Sequence, residues 1–445
     1  MIHKIPFEWN HSVLQLYRNV RAIFLNTVLL ESMDPPSKHA RQSVICFEPE
    51  SIFRVNDQRI YRNGIQIATG FDNVLSSLRS ILAKYNQDMP EIHFTGGLLG
   101  FTSYTIVTSI EDIPQRHRKE FPDAMYGLYL DGIVFDHVRG EVFYFHQDSY
   151  RNRFRLVQDA LKTDVPDAVF TATPPEFSVT ASNFMHGVRS IKDKIYNGEI
   201  FQAVLSQRAN FKISGDRIGI YRKLREINPS PYMYCIEFQD LSIIGSSPEL
   251  LVEVRDRRII TFPIAGTRPR GATEEERKKF AEDLLADEKE LAEHNMLVDL
   301  ARNDIGKVAK IGSVKLAQYL AVEEFSHVVH LVSEVRAELN PSLDQFDAFF
   351  ALFPAGTVSG APKIRAMSFI DELEESNRGP YAGSIGYFGI GGDMVQAIAI
   401  RTAFGIGNDF HLQAGAGIVL DSDPESEYEE TIRKLGALFQ AIAVR

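Results

Sequence analysis

Short runs of alternating apolar and polar residues recur in the first third of this chain of 445 residues. The alternation covers residues 43–65, with a turn signal at Asn56-Asp57, and returns at residues 131–146 around Arg139-Gly140. A period of two is typical of strands that bury one face, and Asn, Asp and Gly commonly form the turns between them. Residues 72–85 instead place apolar side chains at helical spacing. The pattern predicts an α+β fold.

A proline-rich stretch follows neither the strand period of 2 nor the helical period of 3.6. Residues 163–179 contain Pro166, Pro174 and Pro175 among small and polar residues. We therefore predict an N-terminal region at 1–165, a linker at 166–179 and a second region at 180–445. The second region is expected to hold a β-rich stretch up to Thr261, a helical run at 273–303 and glycine-punctuated strands before a C-terminal helix.

Composition narrows the class of protein. Apolar residues make up 44% of the chain and charged residues 24%, as in ordinary globular enzymes. The net charge of −11 weighs against a nucleic-acid partner, which requires a basic face. The apolar stretch at 22–30 is too short to span a bilayer, so no membrane partner is expected. Cys46 and Cys235 form no disulfide framework or thiolate zinc motif, which favours a cytoplasmic protein.

Two pairs of glutamates share one spacing. Glu290 and Glu293 lie three residues apart in the predicted helical run, and Glu427 and Glu430 repeat this spacing in the C-terminal helix. Residues at i and i+3 lie on one helix face. If the two helices face each other, four carboxylates form an oxygen cage suited to Mg²⁺. Alternatively, Asp287 and Glu290 form a capping box and the other glutamates are solvated. Spacing alone leaves both interpretations open.

Glycine-rich segments occur at 353–363, 379–383 and 413–418. None completes the dinucleotide-binding or P-loop pattern. Such segments allow either the close approach of backbone to an anionic ligand or a tight turn between strands.

Eight sequence blocks together resemble the chorismate-utilising enzymes, and among them those that form anthranilate. The blocks are Gly245-Ser-Ser-Pro-Glu249, 263–271, 287–304, 330–333, 353–367, 378–383, 400–402 and 413–431. The resemblance covers most of the chain and implies large, mostly antiparallel sheets packed as a sandwich with flanking helices. It implies a lyase that converts chorismate and ammonia to anthranilate and pyruvate in tryptophan biosynthesis.

The resemblance also implies a ligand set. Glu290, Glu293, Glu427 and Glu430 would hold Mg²⁺ against the ring carboxylate of chorismate. The remaining substrate contacts are implied at Thr267, Tyr381, Arg401, Gly415, Ala416, Gly417 and Lys434. Among these, Tyr381 and Arg401 would receive the enolpyruvyl carboxylate, and Lys434 with nearby backbone amides would receive the ring carboxylate.

Four residues are implied to carry the chemistry. Glu249 matches the general acid for the departing hydroxyl, and His330 and Thr357 match residues that line the ring during pyruvate elimination. Gln202 stands where isochorismate-forming relatives carry a lysine that activates water. Because a carboxamide cannot deprotonate water, ammonia is the expected nucleophile.

Alternatives stay open, one of them a relative that stops at 2-amino-2-deoxyisochorismate and retains pyruvate. Ala265 stands where aminodeoxychorismate synthases commonly carry lysine, which favours anthranilate over 4-amino-4-deoxychorismate of the folate pathway, although some relatives making the 4-amino product lack that lysine. A non-catalytic tryptophan-binding relative is the alternative of another class. Such a relative would be expected to lose charged site residues, whereas this sequence keeps Glu249, Arg401 and Lys434.

Regulation and a partner are also implied. The segment Leu30-Glu31-Ser32 resembles a tryptophan-inhibition motif, and Pro231-Tyr232-Met233 resembles its partner segment, so the resemblance implies a pocket for L-tryptophan. Neither cysteine lies in a Gly-x-Cys-x-Gly nucleophile turn. The resemblance therefore implies a separate glutamine amidotransferase subunit that delivers ammonia.

Overall fold

The computed structural model describes residues 1–33, 42–85, 94–163, 165–324 and 328–443. The helices are α1 (Val13–Arg21), α2 (Phe71–Leu82), α3 (Phe154–Leu161), α4 (Ala181–Tyr196), α5 (Ile218–Ile227), α6 (Glu274–Ala286), α7 (Glu288–Gly306), α8 (Gln345–Leu352), α9 (Lys363–Leu373) and α10 (Pro424–Ile442), with 3₁₀ turns at Tyr104–Ser109 and Gly356–Val358.

The strands of the first half are β1 (Ile2–Pro6), β2 (Val28–Glu31), β3 (Gln42–Cys46), β4 (Ser51–Asn56), β5 (Arg59–Arg62), β6 (Ile65–Thr69), β7 (Gly97–Thr102), β8 (Ala124–Tyr129), β9 (Asp131–Asp136), β10 (Glu141–Gln147), β11 (Phe170–Ala172), β12 (Glu176–Phe177) and β13 (Gln202–Gly215). Those of the second half are β14 (Tyr232–Phe238), β15 (Leu241–Ser247), β16 (Leu250–Arg255), β17 (Arg258–Thr261), β18 (Ile264–Pro269), β19 (Lys315–Glu324), β20 (Val328–Glu338), β21 (Gly360–Ala361), β22 (Ser384–Gly389), β23 (Met394–Ile398), β24 (Thr402–Ile406) and β25 (Asp409–Ile418).

Two large antiparallel sheets organise the molecule. The first sheet runs β1-β10-β9-β3-β2-β14-β15-β24-β25-β13-β11, with β12 and β21 also paired to β13. The second sheet runs β18-β20-β17-β16-β23-β22-β7-β8-β4-β5-β6, with β19 paired to β20. The predicted α+β fold with large antiparallel sheets and flanking helices is confirmed.

The main hydrophobic core lies between the two sheets. Phe145 and Phe404 of the first sheet share one buried cluster with Phe101 and Val252 of the second. A separate cluster joins α1, α5 and α10 to the first sheet. Each large apolar side chain buried in this way contributes about 1.5–3 kcal/mol to folding. This packing fixes the strand ends from which the site residues project.

Strands from residues 1–165 and 180–445 are mixed in both sheets. Leu29 of β2 pairs with Cys235 of β14 in the first sheet, and Gly100 of β7 pairs with Gly386 of β22 in the second. The segment 166–179, interpreted as a linker, carries β11 and β12, which both pair with β13. Its prolines lie before β11 and between the two strands, where no ladder hydrogen bond is lost.

Two helical details differ from the sequence pattern. The β-rich stretch before Thr261 contains α5, and the helical run at 273–303 is two helices that meet at Asp287. Asp287 has an extended backbone and accepts hydrogen bonds from the amides of Lys289 and Glu290, so it ends α6 and caps α7. Within the described ranges, every helix is too short or too polar to cross a bilayer.

Candidate active site

Strand ends of the first sheet bring Glu249 and Arg401 together. Glu249 follows β15 and Arg401 precedes β24, which are neighbouring strands. The carbonyl of Arg401 accepts from the amide of Ser246, and the carbonyl of Glu249 accepts from the amide of Ile398. The Arg401 backbone has a positive φ of 54°. A non-glycine residue held in this strained region commonly marks a functional site.

Glu249 is a buried carboxyl group whose pKa lies near neutral pH. The hydroxyl of Thr357 donates a hydrogen bond of 2.6 Å to its Oε1. Desolvation raises the pKa of Glu249 to about 7, against the lowering effects of Thr357, Lys434 and Arg401. Glu249 and Thr357 also line a cavity of about 410 Å³ with mostly apolar walls and Asp304 among its lining residues. A carboxyl with this pKa can donate a proton at neutral pH.

His330 approaches the same place from the second sheet. Its Nδ1 lies 2.8 Å from the carbonyl oxygen of Gly266 and 3.2 Å from the hydroxyl of Thr267. Because a carbonyl only accepts, Nδ1 carries the proton and the neutral ring has its lone pair on Nε2. Burial lowers the pKa of His330, and the charge of Arg401 lowers it further, despite the Gly266 bond. A neutral imidazole with this tautomer can accept a proton at Nε2.

Arg401 is the electrostatic centre of the site. Its Nη1 donates to the main-chain carbonyl of Lys434. Burial lowers the pKa of Arg401, and the acidic groups of Tyr381, Glu430 and Glu249 act in the opposite direction. Tyr381 is buried, its pKa is raised to about 12 chiefly by desolvation, and Arg401 opposes that rise. The structure thus brings the two residues implied for the enolpyruvyl carboxylate close to each other, and Arg401 close to Glu249.

Lys434 lies beside the glycines of β25, and its main-chain carbonyl binds Arg401. Lys434 Nζ on α10 donates to the carbonyl of Gly415 at 2.8 Å and lies 2.6 Å from Oε1 of Glu430. A Cβ at Gly417 would lie 2.7 Å from Nε2 of Gln202. Ala416 between the two glycines is buried. This segment is a strand and not a tight turn, so its glycines serve close packing against β13.

The two glutamate pairs lie on α7 and α10. Nε2 of Gln202 donates to Oε1 of Glu293 at 3.1 Å. Burial raises the pKa of Glu293, and the charges of Glu290 and Glu430 add to this rise. Burial also raises the pKa of Glu427, with Glu430 contributing. Glu430 of α10 therefore lies near enough to Glu293 of α7 for its charge to act on that carboxyl.

The donor chemistry of this glutamate cluster fits Mg²⁺. In the part of the chain that the structure describes, no three His, Cys, Asp or Glu side chains lie together closely enough to hold a metal ion directly. Carboxylates that repel one another nevertheless suit a divalent cation, and Mg²⁺ keeps several waters that bridge to such ligands. Asp287 caps α7, but the Glu290 carboxylate contacts Arg268, so the capping-box interpretation does not account for Glu290.

Arg268 is a residue that the sequence reasoning did not single out. Its guanidinium forms ion pairs with Asp283, Asp287 and Glu290. The contact joins β18 to the junction of α6 and α7, which places Glu290 beside Gly266. The signal available in the sequence was only an arginine within the block at 263–271.

A second cavity joins the two segments predicted to bind an inhibitor. It measures about 690 Å³, and its lining includes Leu30, Glu31, Ser32, Pro231, Tyr232 and Met233. The Ser32 hydroxyl donates to the carbonyl of Pro231 at 2.9 Å. The Glu31 carboxylate accepts from the Tyr221 hydroxyl at 2.7 Å and pairs with Arg225, so it is held by α5.

Comparison with known proteins defines the class. Residues 26–440 match the family described as chorismate binding enzyme. The chain belongs to this family.

Individual relatives within this family have more specific names. The chain is 44% identical over 439 residues to anthranilate synthase component 1 of Methanothermobacter marburgensis, covering 98% of this chain and 92% of that protein. It is 41% identical to anthranilate synthase component 1 of Aquifex aeolicus, covering 98% and 96%. The crystal structure of anthranilate synthase component I from Streptococcus pneumoniae superposes with a TM-score of 0.82 at 39% identity, covering 91% of this chain and 94% of that one.

Proposed function

We propose that this chain is the synthase component of an anthranilate synthase, which converts chorismate and ammonia to anthranilate and pyruvate. The observation that carries the proposal is the Glu249 carboxyl, whose pKa of about 7 coincides with contact to Thr357 and with the nearby charges of Arg401 and Lys434. The relatives named anthranilate synthase component 1 support the same assignment.

The first chemical step requires an acid. Ammonia forms a C–N bond at ring C2 while the C4–O bond breaks, and Glu249 protonates the departing hydroxyl so that it leaves as water. A carboxyl with a pKa near 7 is still largely protonated below neutrality and becomes a carboxylate as the water departs. The ammonium group formed at C2 then loses a proton, which returns Glu249 to its protonated form.

The second step requires a base. His330 Nε2 takes the proton from C2, the C3–O bond breaks, and the enolpyruvyl group leaves and becomes pyruvate on protonation. The lowered pKa of His330 keeps the ring neutral and able to accept this proton. The hydrogen bond from Nδ1 to Gly266 fixes the ring in the required tautomer.

Positively charged side chains in the site would bind the two carboxylates of chorismate. Burial lowers the pKa of Arg401, so a carboxylate of chorismate would supply a partner that stabilises the guanidinium. Tyr381 would assist at that carboxylate. Lys434 and the main chain at 415–417 lie together and would receive the ring carboxylate.

We further propose that Mg²⁺ is the cofactor, held by Glu290, Glu293, Glu427 and Glu430 directly or through water. When bound, it would neutralise the ring carboxylate. The support is the mutual repulsion of these carboxylates and the hard oxygen character of the set.

The partner and inhibitor are part of the same proposal. A glutamine amidotransferase subunit would supply ammonia, in line with the designation of the relatives as component 1. L-tryptophan would occupy the second cavity, whose lining joins apolar side chains of both sheets, such as Met233 and Ile385, with the polar Glu31 and Ser32. The free, buried Cys46 and Cys235 fit the reducing cytoplasm that we propose as its location.

The test is an assay of the lone chain with chorismate, ammonium chloride and MgCl₂. Anthranilate fluorescence and the matching mass are the expected result. Formation of 4-amino-4-deoxychorismate would overturn the product assignment in favour of the folate-pathway alternative. Intact chorismate, with a melting temperature raised by tryptophan, would instead identify a non-catalytic tryptophan-binding protein.

A further inference from the structure

We infer that Arg378 is a positioning residue that fixes Thr357 and Tyr381 relative to each other, and through Thr357 orients the acid Glu249. The inference rests on the proposed function. Arg378 lies between α9 and β22 and is only 3% exposed.

The guanidinium of Arg378 uses its donors on three separate segments. Nη1 donates to the carbonyl of Val358 at 2.7 Å, and Nη2 donates to the carbonyl of Val204 at 2.7 Å. Nε and Nη2 also bind the two oxygens of Glu374 at 2.8 and 2.6 Å. The guanidinium carbon lies 5.5 Å from the ring centroid of Tyr381.

Each of these segments leads to the site within a few residues. Val358 directly follows Thr357 in the 3₁₀ turn, and Val204 lies two residues after Gln202 in β13. Glu374 in turn accepts from the amide and hydroxyl of Ser206, at 2.8 and 2.6 Å, which ties the arginine to β13 a second time. One side chain therefore sets the spacing between the turn, the strand and Tyr381.

Arginine is required at this position by geometry. A planar fork can bind a carboxylate and two divergent carbonyls at once, whereas an ammonium group on a flexible stem cannot reproduce that arrangement. Lysine keeps a positive charge beside Glu374, so Arg378→Lys does not leave that buried carboxylate unpaired. We therefore expect the main effect of substitution to fall on the geometry of the site.

The chain offers a matched control in Arg153. This residue is 4% exposed, pairs with the buried Asp131, and donates to the carbonyls of Phe47 and Glu48. Its guanidinium also lies over an aromatic ring, that of Phe47 at 4.8 Å. No residue assigned to the active site is among these contacts. Arg153→Lys should reproduce the loss of a buried fork without disturbing Glu249.

The experiment compares Arg378→Lys with Arg153→Lys in the full chain. The readouts are the melting temperature, kcat and KM for chorismate, and the titration of the Glu249 carboxyl followed by infrared difference spectroscopy with Glu249→Gln as the blank. The groups that act on this carboxyl are Thr357, Lys434 and Arg401, and only the Thr357 contact is expected to loosen. Because that hydrogen bond holds the pKa of Glu249 down, its titration should move to higher pH in Arg378→Lys.

The expected result is a fall of at least about tenfold in kcat/KM for Arg378→Lys, with a raised KM and a shifted Glu249 titration. Arg153→Lys should lower the melting temperature by a similar amount and leave the titration in place. Combining Arg378→Lys with Thr357→Val should shift the titration no further than Thr357→Val alone.

An unshifted Glu249 titration in Arg378→Lys, with kinetics changed no more than in Arg153→Lys, would overturn the inference. Should Arg378→Lys fail to fold, Glu374→Gln gives the same comparison, because it weakens the ion pair while keeping the side-chain shape, and an unshifted titration there is equally decisive. The infrared readout needs no turnover, so a wild-type chain that makes no anthranilate would contradict the proposed function and leave this comparison intact.

Discussion

The hydroxyl of Thr357 donates a 2.6 Å hydrogen bond to Oε1 of Glu249, which joins the turn after α8 to the end of β15. This bond lowers the pKa of Glu249 against the larger effect of desolvation. Thr357→Val should therefore raise that pKa, so the acid stays protonated to higher pH. The alkaline limb of kcat/KM, expected near pH 7 in the wild type, should move upward.

Thr357→Ser is the matched control for that shift, because it keeps the hydroxyl and loses only a methyl group. Its pH profile of kcat/KM should coincide with that of the wild type. An alkaline limb that is identical in Thr357→Val and Thr357→Ser would show that Glu249 does not govern the limb.

Glu249→Gln should remove the acid and retain the shape of the site. The hydroxyl at C4 would then leave without a proton, and we expect kcat to fall by about 10²- to 10⁴-fold. Chorismate affinity, measured by calorimetry, should change much less, because the proposed anion contacts are on Arg401 and Lys434. A variant that kept wild-type turnover would exclude Glu249 as the acid.

Glu430→Gln should weaken the response to Mg²⁺. Glu430 is the carboxylate whose charge reaches both Glu293 and Glu427. We expect the Mg²⁺ concentration for half-maximal rate to rise by at least about tenfold, and the rise in melting temperature with Mg²⁺ to shrink. The control is Glu429→Gln on the same helix, whose carboxylate is 62% exposed and pairs only weakly with Arg433. Equal Mg²⁺ curves for both variants would contradict the assigned cluster.

Ser32→Ala should reduce inhibition by tryptophan. The Ser32 hydroxyl holds β2 to Pro231 at the lining of the second cavity, and a hydrogen bond of this kind contributes about 1 kcal/mol. We expect the tryptophan concentration for half-inhibition to rise several-fold, with kcat unchanged. Ser76→Ala, at an exposed position of α2, is the control. Unaltered inhibition in Ser32→Ala would remove this cavity from consideration as the tryptophan site.

The sequence predicted the helices that carry the site residues, but it did not predict the contacts that their side chains make. Glutamate spacing correctly placed Glu290 with Glu293 and Glu427 with Glu430, because helix periodicity alone determines which residues share a face. The contact of Glu290 with Arg268 depends on how β18 meets the α6–α7 junction, which no local pattern encodes. The same holds for Glu31, whose carboxylate is held by Arg225 and Tyr221 of the distant α5.

Two local patterns did not reveal the elements they contain, each for a physical reason. The prolines of residues 166–179 break the strand and helix periods and predict a linker, yet they flank β11 and β12 and leave the pairing of these strands with β13 intact. The helix α5 was missed within a β-rich stretch because Ile218, Ile220 and Tyr221 are residues that also favour strands. Tertiary packing against the first sheet decides their conformation.

The mixed strand order limits how this protein can change over evolutionary time. Removing residues 1–165 would strip β2 and β3 from the side of β14 and β7 from the side of β22, leaving long backbone edges without partners in both halves of the sandwich. The proposed tryptophan control therefore cannot be lost by deleting a module, as it could with a tethered sensor. Escape from it has to arise through single substitutions around the second cavity.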